Sequence, residues 1–219
     1  MNHIAPQLLL ALATAIFAAA VFLHLTRKNS SAIRLYILQS AAIACLLVLA
    51  SFEHLSPLLA MAILSTLAVK LIIAPFFFNR LIRRHQLTFS VSTYLSTPLT
   101  LAVIAVLVAL VQTEIFKPLS ALASSGPTLL LTTSIATILI SLFLMINRKG
   151  ALSQMIGILS LENGIVAFAL FAGLEQSPAL QLGITFNILI WIMVASIFAT
   201  MIFRHHGTLD VTTMKELTE

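Results

Sequence analysis

The sequence predicts an all-α fold, a polytopic membrane bundle of seven transmembrane helices. Apolar residues make up 60% of the 219 residues and charged residues only 9%, and the mean hydropathy is +1.08. A chain this apolar is expected to be embedded in a lipid bilayer. Seven apolar segments are each long enough to cross a bilayer, and the net charge of +5 is concentrated in the short loops between them.

Within lipid, only a helix satisfies its own backbone hydrogen bonds inside one such segment. We therefore predict a single membrane domain over residues 1–219, with seven spans in order. These are Ile4–Leu25, Ala32–Phe52, Pro57–Phe78, Ser96–Thr113, Pro127–Ile146, Ala151–Ala172 and Leu180–Phe203. Pro75 lies inside the third span, where it should kink the helix and free the carbonyl of Leu71.

The loops predict the orientation of the bundle. Basic residues follow the first, third, fifth and seventh spans, whereas the opposite loops hold Glu53, Glu175 and the pair Glu114 and Lys117. The positive-inside rule places the basic side in the cytoplasm. The N-terminus is then outside, and a short C-terminal tail, 204–219, is inside. The basic residues are Arg27, Lys28, Arg34, Arg80, Arg83, Arg84, Arg148, Lys149, Arg204 and Lys215.

Charged and proline residues recur at matching positions 121 residues apart in the chain, as from Ser56-Pro57 to Ser177-Pro178. This predicts two parallel three-helix halves, 8–85 and 129–206, joined by the fourth helix, 96–113. The alternative is that polytopic proteins in general carry similar charged and proline residues between their spans, without an internal repeat. In the alignment each half contributes one intramembrane charge, Lys70 or Glu162.

Glu162 is the residue around which we interpret the chain. If its helix starts near Ala151, a rise of ~1.5 Å per residue puts the carboxylate roughly 17 Å into a ~30 Å hydrocarbon core. Lys70, about thirteen residues into the third span, is too deep to reach the surface easily. Intramembrane charges of this kind usually face a partner and serve a function. The two residues are predicted to lie close together as a proton relay; the alternative is a static ion pair.

Four further polar residues are candidates for the relay or for helix packing. They are Asn187 in the seventh span, Gln39 in the second, His24 at the inner end of the first, and Asn163 beside Glu162. Gln39 and His24 could instead lie at the membrane interface. Asn163 and Gly164 are expected to let a neighbouring backbone approach the acid closely.

Catalytic and cofactor chemistry is not indicated by any motif. The sequence has no Gly-rich phosphate loop, HExxH pair or nucleophile elbow. One cysteine, Cys45, cannot form a disulfide framework, an iron–sulfur cluster or a thiolate zinc site. We therefore expect no catalytic residue, no metal and no cofactor bound by this chain, and no nucleic-acid partner.

Two stretches resemble a known family. The run from GILSLENG (Gly157 to Gly164) through the seventh span to RHHGTLDV (Arg204 to Val211), together with AVKLIIAP (Ala68 to Pro75), resembles hydrogenase-4 component E. That family consists of membrane subunits in formate-hydrogenlyase-like [NiFe] hydrogenases, which are related to respiratory complex I. Its last three helices are similar to the K subunit of complex I, which carries proton-relay glutamates on two helices.

By position, Glu162 matches the first of those glutamates. Asn187 stands near the place of the second, so this chain departs from a two-carboxylate relay, and Lys70 becomes the expected partner. The resemblance implies antiporter-like and other membrane subunits as partners, and location in the bacterial inner membrane. We thus expect a non-redox subunit of a complex-I-like assembly that takes part in proton translocation. The alternatives are a stand-alone secondary transporter with parallel repeats and a purely structural scaffold of the membrane arm.

Overall fold

The helices of the protein were located in a computed structural model that describes residues 5–52, 56–85, 93–116, 118, 128–174 and 177–206. The long helices in these ranges follow the predicted spans. They are α1 (Pro6–Leu25), α2 (Asn29–Ser51), α3 (Pro57–Ala68, continued by Val69–Ile73 and Ala74–His85), α4 (Thr97–Val111), α5 (Thr128–Asn147), α6 (Ala151–Phe171) and α7 (Pro178–His206).

Six of these helices are long and apolar enough to cross a membrane, which makes the chain a multi-pass helical bundle. The fourth predicted span is the exception. Its helix, α4, has 15 residues, or about 22 Å at ~1.5 Å per residue, which is shorter than a ~30 Å hydrocarbon core. The helix stops at Val111 because the polar run Gln112 to Glu114 follows it.

Four helices form the centre of the bundle. α1 packs against α2 and α5, and α6 packs against α2 and α5. α3 and α7 pack mainly against each other, with α3 also touching α2, while α4 lies on α5 and α1. This arrangement puts the middle of α3 next to the middle of α6, where the two intramembrane charges lie.

The third and seventh helices begin in the same way. The hydroxyl of Ser56 accepts from the N–H of Leu59, and the hydroxyl of Ser177 accepts from the N–H of Leu180, while a proline fills the first helical position of each. These matching caps fit the 121-residue offset, but the repeat and the halves 8–85 and 129–206 remain predictions.

The middle of α3 is a π-helical turn, Val69–Ile73, which ends two residues before Pro75. The N–H of Ala74 bonds to the carbonyl of Val69 across this wider turn. Proline lacks an N–H, and its ring crowds the carbonyl four residues earlier, so a local π turn is one way a membrane helix accommodates it. The proline was predicted to kink the helix; the structure has a π turn at this place.

Several predictions about the loops fall on residues outside the described ranges. The predicted orientation depends partly on Glu53, Lys117, Glu175 and Lys215, and none of these four is described. The C-terminal tail is described only as far as residue 206. The orientation, with the N-terminus outside, therefore stays a prediction.

Arg148 shows that one basic loop residue has a structural role. Its side chain is buried, and Nη2 donates to the carbonyls of Leu23, His24 and Thr26 at 2.8, 2.8 and 2.7 Å. These carbonyls belong to the last turn of α1 and to Thr26, which follows it, where intrahelical donors are missing. A cation is also favourable at this end of a helix. Arg148 thus caps α1 from the α5–α6 connection.

Arg148→Ala is expected to destabilise the protein by about 2 kcal/mol, because three carbonyls lose a charged donor. The measurement is the midpoint of thermal unfolding of the purified protein in detergent. Arg34→Ala is the matched control, since it removes a basic residue whose side chain is exposed on α2. If both variants unfolded at the same temperature, the capping role of Arg148 would be wrong.

Candidate functional site: an intramembrane ion pair

Lys70 and Glu162 each lie near the middle of their helix. Lys70 lies in the π turn of α3, thirteen residues after Pro57. Glu162 lies eleven residues after Ala151 on α6. At ~1.5 Å per residue both are about 17–20 Å from the start of their helices, near the middle of a ~30 Å core.

The structure brings the two charges into direct contact. Nζ of Lys70 lies 3.1 Å from Oε1 of Glu162, with 1% of the lysine side chain exposed and 17% of the glutamate side chain. The predicted proximity of these residues is confirmed. In a low-dielectric interior an ion pair of this kind requires further hydrogen bonds to offset the loss of water around each charge.

Asn163 supplies one of those hydrogen bonds to Lys70. Nζ of Lys70 donates to Oδ1 of Asn163 at 2.8 Å. Nδ2 of Asn163 in turn donates to Oε1 of Gln39 at 3.2 Å and to the hydroxyl of Ser40 at 3.1 Å, both on α2. Nε2 of Gln39 donates to the carbonyl of Ile16 on α1 at 3.2 Å. A hydrogen-bonded chain therefore links α3, α6, α2 and α1.

The two amides have fixed directions in this chain. Each uses its oxygen to accept and its nitrogen to donate, and an amide nitrogen has no readily exchanged proton. Asn163 and Gln39 therefore position Lys70 rather than carry protons. The groups that can exchange a proton are the ammonium of Lys70, the carboxylate of Glu162 and the hydroxyl of Ser40.

Two residues of this region were missed by the sequence analysis. Ser40 and Tyr36 are fully buried on α2, one turn apart, and the ring of Tyr36 meets the ring of Phe78 edge-on at 6.3 Å. Their signal is visible in the sequence, because Tyr36, Gln39 and Ser40 have the spacing of a single helix face.

Of the other candidates, Gln39 lies in the site. It is fully buried and about ten residues into α2. His24 is also buried, but it lies elsewhere, at the end of α1: Nε2 is 3.0 Å from the carbonyl of Ile140, and the ring stacks on Phe143. His24 joins α1 to α5.

Asn187 is exposed on α7 and is not part of the hydrogen-bonded chain. The polar link between α3 and α7 is made by Thr185 instead, whose hydroxyl bonds to the hydroxyl of Thr66. Both threonines are buried. The sequence drew attention to the asparagine because it is the stronger hydrogen-bonding group, but the rotation of α7 turns the threonine inward.

Gly164 permits the close packing predicted beside the acid. A Cβ at Gly164 would lie 3.0 Å from Cγ1 and 3.2 Å from the backbone nitrogen of Ile138 on α5. One turn nearer the start of α6, the hydroxyls of Ser160 and Ser141 bond at 2.8 Å. The side of α6 next to Asn163 is thus held tightly against α5.

Comparison with known proteins shows a distant similarity to a mycobacterial protein. The chain is 25% identical over 199 residues to the uncharacterized protein Rv0085 of Mycobacterium tuberculosis, a match that covers 91% of this chain and 90% of that protein. No family model matches the sequence. No solved structure matches it either.

Proposed function

We propose that this chain is a non-redox membrane subunit that takes part in proton translocation, with Glu162 as the proton-exchanging group and Lys70 as its partner. The observation that carries the proposal is the ion pair itself. A carboxylate and an ammonium 3.1 Å apart near the centre of the bundle can change charge together, since a proton moved from Nζ to the carboxylate neutralises both. Intramembrane acids and bases in such pairs often mark proton pathways.

The surrounding residues fit this role. Asn163, itself held by Gln39, accepts from the ammonium on one side, so the proton exchange is left to Glu162, whose side chain is the more exposed of the pair. Ser40 supplies a hydroxyl next to Asn163. The chain itself would carry no cofactor, and redox chemistry elsewhere in an assembly would drive changes in the affinity of Glu162 for protons.

The parent assembly is proposed from the resemblance to hydrogenase-4 component E. It would be a complex-I-like, [NiFe]-hydrogenase-type complex in the bacterial inner membrane, with antiporter-like subunits beside this chain. The mycobacterial relative adds nothing on this point, because it is itself uncharacterized.

A structural scaffold is the second candidate, and one observation favours it. Lys70 is fully buried and bonded directly to both Glu162 and Asn163, which is also what a static lock between α3 and α6 requires. The two candidates differ in the effect they predict when Glu162 is replaced by a residue that cannot exchange a proton.

The test is Glu162→Gln in the intact native complex. Glutamine keeps the size and the acceptor oxygen for Lys70 but cannot exchange a proton. We expect substrate-driven proton uptake into inverted membrane vesicles to fall at least tenfold, while the complex still assembles. Assembly is followed by native gel electrophoresis of the same membranes.

Glu162→Asp is the control, because it keeps the titratable group and should retain part of the proton uptake. Normal proton translocation by an assembled Glu162→Gln complex would overturn the relay and leave the scaffold. Saturable uptake of a substrate by the purified chain alone in liposomes would instead favour a secondary transporter.

A further inference from the structure

An open groove separates α6 from α7. Met155 and Ile158 of α6 form one wall, Trp191 and Ala195 of α7 form the other, and Phe78 of α3 lies at its base. α6 and α7 touch only sparsely, since α7 packs mainly on α3. Among the six long helices, α7 has the smallest buried share, at 17% of its apolar window.

The groove lining is apolar, and helix register places two polar residues one turn beyond it, at a common level. Glu162 is one turn beyond Ile158 on α6, and Asn187 is one turn before Trp191 on α7. Glu162 is nine residues from the end of α6 at Phe171, and Asn187 is nine residues from the start of α7 at Pro178. The loop that follows α6 leads into α7, so both residues are about 14 Å from the same end of the bundle.

Both residues are incompletely covered at this depth. The Glu162 side chain is 17% exposed, and Asn187 is exposed. Facing hydrocarbon, a polar group without partners costs several kcal/mol, and a partly exposed carboxylate is less tolerable still. The surface at this level, just beyond the apolar groove, is therefore one that lipid tails cover poorly.

Gly183 extends the same surface by one turn from Asn187. A Cβ at Gly183 would meet no atom within 4 Å, so the glycine is not needed for packing inside this chain. Membrane helices associate where a small residue lets backbones approach and a polar side chain bonds across the contact. Gly183 and Asn187, at spacing four, provide both features on α7.

We infer that the α6–α7 groove docks a transmembrane helix of another subunit, and that this helix brings a hydrogen-bond-donating side chain to the level of Glu162 and Asn187. The inference rests on the proposed function in taking the chain as a subunit. The donor would complete the coordination of the carboxylate and form its proton connection to the rest of the assembly.

A second copy of this chain fits the groove less well. A symmetric contact would bring the same surface against itself, and the exposed polar groups at this level are an acid and an amide. The two carboxylates would then approach each other in a low-dielectric medium. A helix with a lysine, histidine, serine or tyrosine supplies the missing donor without that repulsion.

The experiment replaces Trp191 with the photo-crosslinking residue p-benzoyl-phenylalanine in the native membrane. Trp191 is 44% exposed and lines the groove. Phe186, 65% exposed and on a different face of α7, is the matched control position. We expect irradiation at position 191, and not at 186, to give one crosslinked product with another integral membrane protein. Peptide mass spectrometry should map the link to a transmembrane helix with a polar donor.

Gly183→Leu supplies a second measurement in a variant that is expected to fold, because the added side chain meets open space. It should reduce recovery of the crosslinked partner at least fivefold, with the amount of this chain in the membrane unchanged. A product with a second copy, a product with lipid only, or equal products from positions 191 and 186 would overturn the inference. Crosslinking as expected, together with normal proton uptake in Glu162→Gln, would overturn the relay and leave the docking site.

Discussion

Lys70→Met is expected to destabilise the protein by about 3 kcal/mol, because it leaves the Glu162 carboxylate without its cation inside the bundle. Nζ of Lys70 is the charged atom 3.1 Å from Oε1, and the lysine is 1% exposed. Methionine has a similar length but brings no charge and no donor. The loss is limited to this range because the acid can take up a proton when its partner is removed.

Stability is measured as the midpoint of thermal unfolding in detergent, together with the free energy of unfolding by denaturant. The double variant Lys70→Met with Glu162→Gln is expected to recover most of the loss, since neither side chain is then charged. Lys28→Met is the control for loss of a lysine at an exposed position. If the single and double variants were equally stable, the contact would not act as an ion pair.

The location of the site could be predicted from the sequence because its central residues break a strong pattern. A lysine and a glutamate inside otherwise apolar spans are conspicuous, and each is costly in lipid without a partner. Their depth follows from helix geometry alone. The contact between Lys70 and Glu162 was therefore predictable even though they are 92 positions apart in the chain.

The rotation of each helix about its axis was not predictable in the same way. A helix that is apolar on all sides carries no periodic signal that tells which side faces its neighbours. Asn187 was consequently placed near the relay, whereas the structure exposes it and turns Thr185 inward. Arg148 was missed as a cap for a related reason, because a basic residue that caps a helix looks in sequence like one that sets orientation.

The fourth span was predicted too long, because an average of hydropathy over a whole segment hides a few polar residues at its end. The predicted span Ser96–Thr113 includes polar residues at its far end, and the helix stops before them at Val111. The hydrogen bonds of Gln39 and Asn163 likewise depend on which helices are neighbours. That information comes from tertiary packing, since the spacing of residues along a single span does not contain it.

Gly164→Leu is expected to have the largest effect on the fold, a loss of about 3 kcal/mol or more, because α5 and α6 are too close at this point for a side chain. A single Cβ would already lie 3.0 Å from Cγ1 and 3.2 Å from the backbone nitrogen of Ile138. Backbone cannot move aside as a flexible side chain can, so a leucine must push α6 away from α5. Asn163, the preceding residue, would then lose its contacts with Gln39 and Ser40.

Gly183→Leu is the matched control for this prediction, since it makes the same replacement in a helical glycine with no atom within 4 Å of an added Cβ. In the purified chain we expect its unfolding midpoint to stay within error of the unsubstituted protein, while that of Gly164→Leu falls sharply. Gly157→Ala gives an intermediate case, because the atom 2.7 Å from its added Cβ is the flexible side chain of Met145. Equal stability of the two leucine variants would show that α5 and α6 do not meet closely at Gly164. The packing at Gly164 would then not explain how Asn163, and through it Lys70, is held in place.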